Sequence, residues 1–241
     1  MILNIKELVI LGLFSVFTFS AFSQFAEVQN EPAHIHVDRK GKMEFGLEHT
    51  LSFSSLIGNG PKTSFGVTET KFDPVGVRVT MSLGGFGNYY ITDKMSFQFE
   101  FMFAFSGSHF KLDKTIYQDL GYFTTTTNKT YALRYVKVPL TLNYYLLDNF
   151  YFQGGGYFSA LLNAKSRENH VVFGPKSEFV DNLNPVDLGV IGGVGFDARI
   201  IKLGFRYSYG FSNVFSNSGD AANLHNSVFE VIAHWKLNKK N

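Results

Sequence analysis

The chain contains no cysteine in 241 residues. That excludes disulfides, thiolate metal sites, a cysteine nucleophile and a lipid-modified cysteine anchor. An exported protein built this way must be held by its core or by its membrane. Tryptophan occurs once and proline six times. The net charge is only +2 and no basic block appears, so no nucleic-acid partner is expected. Beyond the N-terminus there is no run of apolar residues as long as the roughly 18 that a helical membrane span needs. Aromatics are abundant instead, with 27 Phe and 12 Tyr beside 23 Gly. Aromatic side chains favour pleated surfaces, and Gly permits turns and close backbone approach.

Residues 1–23 read as a cleavable signal peptide. Lys6 lies in a short leading segment, an apolar run follows from Leu8 to Phe19, and Ala21-Phe22-Ser23 offers small residues at the two positions a signal peptidase inspects. Cleavage is expected before Gln24. Residues 24–41 are polar and mixed in charge, and read as a flexible periplasmic lead.

From residue 42 the chain alternates with a period of two, which is the signature of strands rather than helices. Met43, Phe45, Leu47, Leu51 and Phe53 oppose Glu44, Gly46, Glu48, Thr50 and Ser52. Val75 to Leu83 repeat the pattern against Gly76, Arg78, Thr80, Ser82 and Gly84. The clearest case places Met95, Phe97, Phe99, Phe101, Phe103 and Phe105 on one face and Ser96, Gln98, Glu100, Met102, Ala104 and Ser106 on the other. Further runs occupy about 136–144, 150–165, 186–199, 203–211 and 229–237. Eight strands of about 9–16 residues result. Soluble strands average about five or six residues, whereas a tilted strand needs about 9–11 to cross hydrocarbon.

The connections alternate strictly in length. Those at 55–74, 107–130, 166–185 and 212–225 are long, and those around Thr92-Asp93-Lys94, Asp148-Asn149 and Ile200 are tight. Outer-membrane barrels are built this way, with long loops outside and short turns in the periplasm. An even strand count leaves both termini in the periplasm. Aromatics gather at both strand ends: Tyr89, Tyr90, Tyr144, Tyr145, Phe150, Tyr151 and Trp235 at one, and Phe53, Phe105, Tyr131, Tyr135 and Phe211 at the other. Two interfacial belts are expected from them.

If the greasy faces meet lipid, the opposite faces fill a narrow lumen. They carry Glu44, Glu48, Glu100, Asp187, Asp197 and Glu230 against Arg78, Lys137, Arg199, Lys202, Arg206 and Lys236. An unpaired buried charge is costly, so a packed, salt-bridged interior without a diffusion pore is expected.

No constellation in the sequence has the form of an active site. His34 and His36 form an HxH pair beside Asp38 in the polar lead, with no third ligand in a metal-site pattern. Ser166, Glu168 and His170 share one long loop, and Asp220 and His225 another, without a nucleophile elbow. His49, His109 and His234 are scattered. The glycines at 154–156 and 192–195 do not open a helix, so no phosphate loop is read there. No catalytic, cofactor-binding or metal-ligating residue is assigned, and no cofactor.

The run Leu133-Arg134-Tyr135-Val136-Lys137-Val138-Pro139-Leu140, followed by Asn143-Tyr144-Tyr145-Leu146, resembles the Y-x-x-x-P-x-x-x-x-Y-Y strand of the PorT-like outer-membrane β-barrel proteins of Bacteroidetes. The glycine-rich segments 151–157 and 187–196, and the Phe22-Ser23-Gln24 junction, are similar to that family too. The resemblance implies a barrel in the outer membrane, and the family's named member implies a place in a protein-secretion and gliding apparatus. It supplies no functional residues.

The expected fold is therefore all-β: an eight-stranded antiparallel up-and-down transmembrane barrel over 42–238, with four long outer loops, three tight periplasmic turns and a tail at 239–241. The expected partners are the outer-membrane bilayer and proteins met through the long loops or the periplasmic side, the 107–130 loop foremost. The expected role is a non-enzymatic structural or interaction component of the cell envelope. Two other readings compete: an outer-rim hydrolase of lipid or peptide, and a soluble β-barrel holding a small apolar ligand inside. The last requires the Phe97–Phe105 row to point inward.

Overall fold

The computed structural model describes residues 38–59, 62–65, 68–118, 121–170, 174–180, 183–216 and 223–238. The signal segment, most of the lead with His34 and His36, Asp220 and the tail lie outside them. Ten strands follow in order: β1 (Met43–Asn59), β2 (Lys62–Phe65), β3 (Thr68–Tyr90), β4 (Met95–Gln118), β5 (Gly121–Tyr145), β6 (Phe150–His170), β7 (Gly174–Phe179), β8 (Val186–Asp197), β9 (Ile201–Gly210) and β10 (Asn223–Lys236). Eight of them close a ring in the order β1-β10-β9-β8-β6-β5-β4-β3, and β3 pairs back onto β1. Every pairing is antiparallel, and the first and last strands seal the barrel from Gly46↔Lys236 to Asn59↔Asn223. Closure leaves no sheet edge in the wall, which is what lipid demands of a strand protein.

The alternation seen in the sequence sets the orientation. Phe101 in β4 is 52% exposed on the outer wall while its neighbour Glu100 is 0% exposed inside. Phe97, Phe99, Phe103 and Phe105 follow Phe101, and Ser96, Gln98, Met102 and Ser106 follow Glu100. Leu140, Leu142 and Tyr144 in β5, Leu188 and Val190 in β8, and Phe205 and Tyr207 in β9 extend the greasy surface around the barrel. This orientation overturns the soluble reading, because the Phe row does not line a ligand cavity.

Two irregularities have local causes. Pro139 has no N–H to give to a ladder, and the β4–β5 pairing, its register unchanged, is interrupted between Phe99↔Leu140 and Met102↔Lys137. The β5–β6 register shifts between Arg134↔Asn163 and Tyr135↔Leu161. A bulge there changes which side chains of β6 face inward: Tyr157 and Ser159 are buried below it, Ala164 and Ser166 above it.

The three tight turns fall at residues 91–94, 146–149 and 198–200, as read from the sequence. The long connections contain more strand than the sequence suggested. The 107–130 segment is a continuous β-ribbon, paired from Ser108↔Tyr131 to Gln118↔Gly121. β3 flanks it from Pro74↔Phe110 to Thr68↔Ile116, and β2 adds a further strand on β3. In the 166–185 segment, β7 pairs with the end of β6. β-branched and aromatic residues such as Ile116, Phe123 and Thr124–Thr127 sustain these pairings beyond the barrel wall.

Candidate functional site: the filled lumen

The inward side chains form four layers. At the tight-turn end Tyr90, Tyr145 and Tyr151 close the opening as a ring cluster, with centroids 5.8 Å apart for Tyr90–Tyr145 and 5.3 Å for Tyr145–Tyr151. Gly195 makes room for it, since a Cβ there would lie 2.4 Å from Cζ of Tyr151. The Tyr90 and Tyr145 hydroxyls donate to Asp197 Oδ2 at 3.1 and 2.9 Å, and Tyr90 also donates to Glu44 at 2.9 Å. Lys202 Nζ stands 3.1 Å from Glu44, and Lys236 Nζ bridges Glu44 and Asp197. Arg39 completes this layer from below. Its guanidinium lies 4.3 Å from the Tyr145 ring centre and donates to the Asp148 carbonyl, while its backbone N–H donates to Asp93 at 2.9 Å. The lead is thus fastened to two of the tight turns where it enters the barrel.

The second layer is built around Arg206, which is 1% exposed. Its Nε donates to Glu230 Oε2 and its Nη1 to Glu100 Oε2, both at 2.7 Å. Its Nη2 lies 3.5 Å from Glu48. One planar cation with several fixed donors suits this clasp on three carboxylates. Lys137 reaches Glu230 at 3.2 Å and Ser208 at 3.1 Å from the opposite wall. His234 Nε2 lies 3.6 Å from Glu48 and 3.7 Å from Glu100, and Phe86 meets its ring at 4.6 Å. An amide group around Asn143 fills the gap toward the tyrosines, with donors to Asn88 at 3.3 Å and Gln98 at 3.2 Å.

Above this lies a small cavity of about 30 Å³ whose lining includes Ser52, Ser82, Ser159, Tyr157, Asp187 and Asn226. Tyr157 and Asn226 both donate to Asp187 Oδ2 at 2.9 Å. The long-loop end is stoppered by an apolar cluster including Leu56, Phe110, Tyr131, Leu133, Leu183 and Leu224. Phe110 meets Tyr131 edge-on at 5.1 Å, and Phe215 meets Tyr131 at 5.9 Å.

All six predicted acids are buried in the lumen, as are Lys137, Lys202, Arg206 and Lys236. Arg78 is inward too, and donates to the Ser106 carbonyl at 2.8 Å. Arg199 is corrected: it is exposed at the third tight turn, and His234 stands among the acids instead. The two aromatic belts need a larger correction. Tyr90, Tyr145, Tyr151, Tyr131 and Tyr135 turn inward and are buried, Phe53, Phe150 and Trp235 are half-buried, and Tyr89, Tyr144, Phe105 and Phe211 are exposed on the outer wall. Alternation already carried this information, because Tyr145 shares the phase of Lys137 and Tyr90 that of Arg78.

Glu48, Glu100 and His234 bring ligand atoms within 4.8 Å of one another, which metal sites also do. Arg206 nitrogens stand 3.5 Å from Glu48 and 2.7 Å from Glu100, so both carboxylates are already engaged in an ion-pair clasp. Of the loop groups read for hydrolase chemistry, Asp220 lies outside the described residues, and Ser166 and His225 stand apart. Ser166 is buried, and His225 stacks on Tyr209 at 5.8 Å, in a strand three places around the ring from β6. His109 bonds Thr130 at 2.9 Å, and His49 is half-buried in β1.

No curated protein matches this chain. Among solved structures, Neisserial surface protein A is 12% identical at a TM-score of 0.47, over 81% of this chain and 99% of that one. Ail, the attachment invasion locus protein of Yersinia pestis, is 11% identical at 0.40 over 82% and 99%. OprG from Pseudomonas aeruginosa is 13% identical at 0.34 over 84% and 97%. The family model described as "Outer membrane protein beta-barrel domain" matches residues 22–216. A closed barrel with a greasy outer wall and an ionic, filled lumen agrees with that match: the chain belongs to the outer membrane protein beta-barrel domain family and resides in the outer membrane.

Proposed function

We propose that this barrel is a non-enzymatic, non-conducting interaction component of the cell envelope, serving in a secretion-type assembly. The observation that carries the reading is the filled lumen. Tyrosines, ion pairs and an apolar stopper occupy successive levels between the two ends. Among the described residues no passage runs through the lumen, and a barrel so filled acts through its surfaces. The long-loop end faces outward, and both termini lie in the periplasm after removal of 1–23. The resemblance of the Tyr135–Tyr145 segment to the PorT-like strand supports the secretion setting.

The β4–β5 ribbon is the contact surface. Tyr122 and Phe123 are 75% and 65% exposed near its tip, well away from the lipid-facing wall. Phe110 and Lys129 are register partners at its base, so residues 111–128 can be replaced by an Asn-Gly turn that closes the hairpin there. The shortened protein is expected to keep heat-modifiable mobility on gels while losing the complex that co-purifies with the full barrel from detergent-solubilised outer membrane. The parent protein is expected to add no conductance to a planar bilayer. Loss of folding in the shortened protein, an unchanged complex, or discrete channel openings would each count against the proposal.

A further inference from the structure

The ribbon has one open side. Along the wall, β5 is paired on both flanks, but its ladder with β6 ends at Lys129↔Glu168, while β7 pairs along the other edge of β6. From Gly121 to Asn128, β5 pairs only with β4 among the described residues. Among the described residues that leaves eight residues of strand edge without a partner, roughly 26 Å at the usual rise. Alternate residues there turn their N–H and C=O groups outward. The opposite flank is fixed by β3 and β2, so the edge belongs to a small sheet rather than to a lone hairpin.

Natural edges of this length are normally blunted by Lys, Pro or inward-pointing charge. This edge reads Gly-Tyr-Phe-Thr-Thr-Thr-Thr-Asn, with no charge and no proline. Its aromatic and β-branched residues favour strand pairing. We infer that the β5 edge at 121–128 takes up an extended, uncharged segment of a separate protein outside the cell, by β-strand addition. The inference rests on the interaction role proposed above and specifies its mode.

Geometry selects that occupant. Residues 171–173, which connect β6 to β7, are too few to supply a matching strand. The lead is fastened through Arg39 at the opposite end of the barrel. A second copy in the same membrane stands the same way up, so rotation about the membrane normal brings the two edges together parallel. Antiparallel pairing of one edge with itself would require an inverted barrel. A free segment of another protein meets neither restriction, and main-chain bonds supply its affinity.

The test uses the full barrel in phosphatidylcholine nanodiscs. The probe is an alternating Thr–Val decapeptide with two lysines at each end. A second form is N-methylated at two adjacent central residues, so both of its edges are blocked. The plain peptide is expected to bind and to slow amide exchange across 121–128 by at least tenfold, and the methylated form to bind at least tenfold more weakly. Thr125→Lys is expected to lose binding and Thr125→Val to keep it, with unchanged heat-modifiability in both. Equal binding of the two peptides overturns strand addition while leaving an interaction role through side chains intact. Absence of binding by the plain peptide, or pairing of barrels through 121–128 in a two-barrel nanodisc, also overturns it. The co-purification experiment above fails independently if the ribbon contacts nothing.

Discussion

Arg206→Ala is expected to destabilise the barrel by about 3–5 kcal/mol, the usual consequence of removing one member of a buried ionic group. Among the described residues, Arg206 alone touches Glu48, Glu100 and Glu230 together. Without it, the ion-pair partners left among the described residues are His234 for Glu100 and Glu48, and Lys137 for Glu230. Three carboxylates would then share a space closed to water by the tyrosines below and the apolar cluster above. Urea unfolding in detergent micelles, followed by the heat-modifiable gel shift, measures the loss. Adding Glu100→Gln to Arg206→Ala is expected to recover part of it, because the uncompensated charge dominates rather than the lost packing. A loss under about 1 kcal/mol would mean that the lumen is hydrated and that the ion pairs are weakly coupled.

Phe101→Arg is expected to cost about 2–4 kcal/mol, because the side chain faces acyl chains midway along the β4 wall. Tyr144→Arg, on the same wall beside the second tight turn, is expected to cost about 0–1 kcal/mol, since a long cationic side chain there reaches the headgroups. Phe101→Leu keeps an apolar side chain at the same place and is expected to change stability by under about 1.5 kcal/mol. The gradient between Phe101 and Tyr144 is the informative quantity: it distinguishes burial in lipid from burial in protein. Folding assays into phosphatidylcholine bilayers across a denaturant series provide it. Equal costs at the two positions would argue that no membrane surrounds the Phe row.

Much of this architecture was legible because one physical rule, alternate residues on alternate faces, governs every barrel strand. That rule alone sends the β4 phenylalanines outside and Glu44, Glu48, Glu100, Asp197 and Arg206 inside. The errors arose where position along a strand was allowed to outweigh that rule. Tyr90, Tyr145 and Tyr151 lie near turns and so looked interfacial, yet their phase sends them into the lumen. Arg199, grouped with the inward-facing bases, belongs to a turn, where alternation no longer applies.

The β6 bulge could not be read, because one extra residue leaves the composition of a strand unchanged while reversing its faces beyond that point. The strands inside the long connections were missed for another reason. Segments such as Lys111–Gln118 carry mixed charges and lack the greasy face that identifies a strand crossing lipid. Their pairing comes from β-branched residues and a continuous ladder, not from burial. The Glu48–Glu100–Arg206–Glu230 clasp draws on four strands, so the charges were predictable while their convergence on one guanidinium was not.

The absence of cysteine allows the central claim to be tested cleanly, since any introduced thiol is unique. Single cysteines at positions 96–105 of β4, carrying a nitroxide in bilayer-reconstituted protein, report collision with oxygen dissolved in the acyl chains. Strong collision at 97, 99, 101, 103 and 105, with little at 96, 98, 100, 102 and 104, is the predicted result. The opposite phase, or a profile with no alternation, would contradict the outward-facing phenylalanine wall and the membrane-spanning barrel with it.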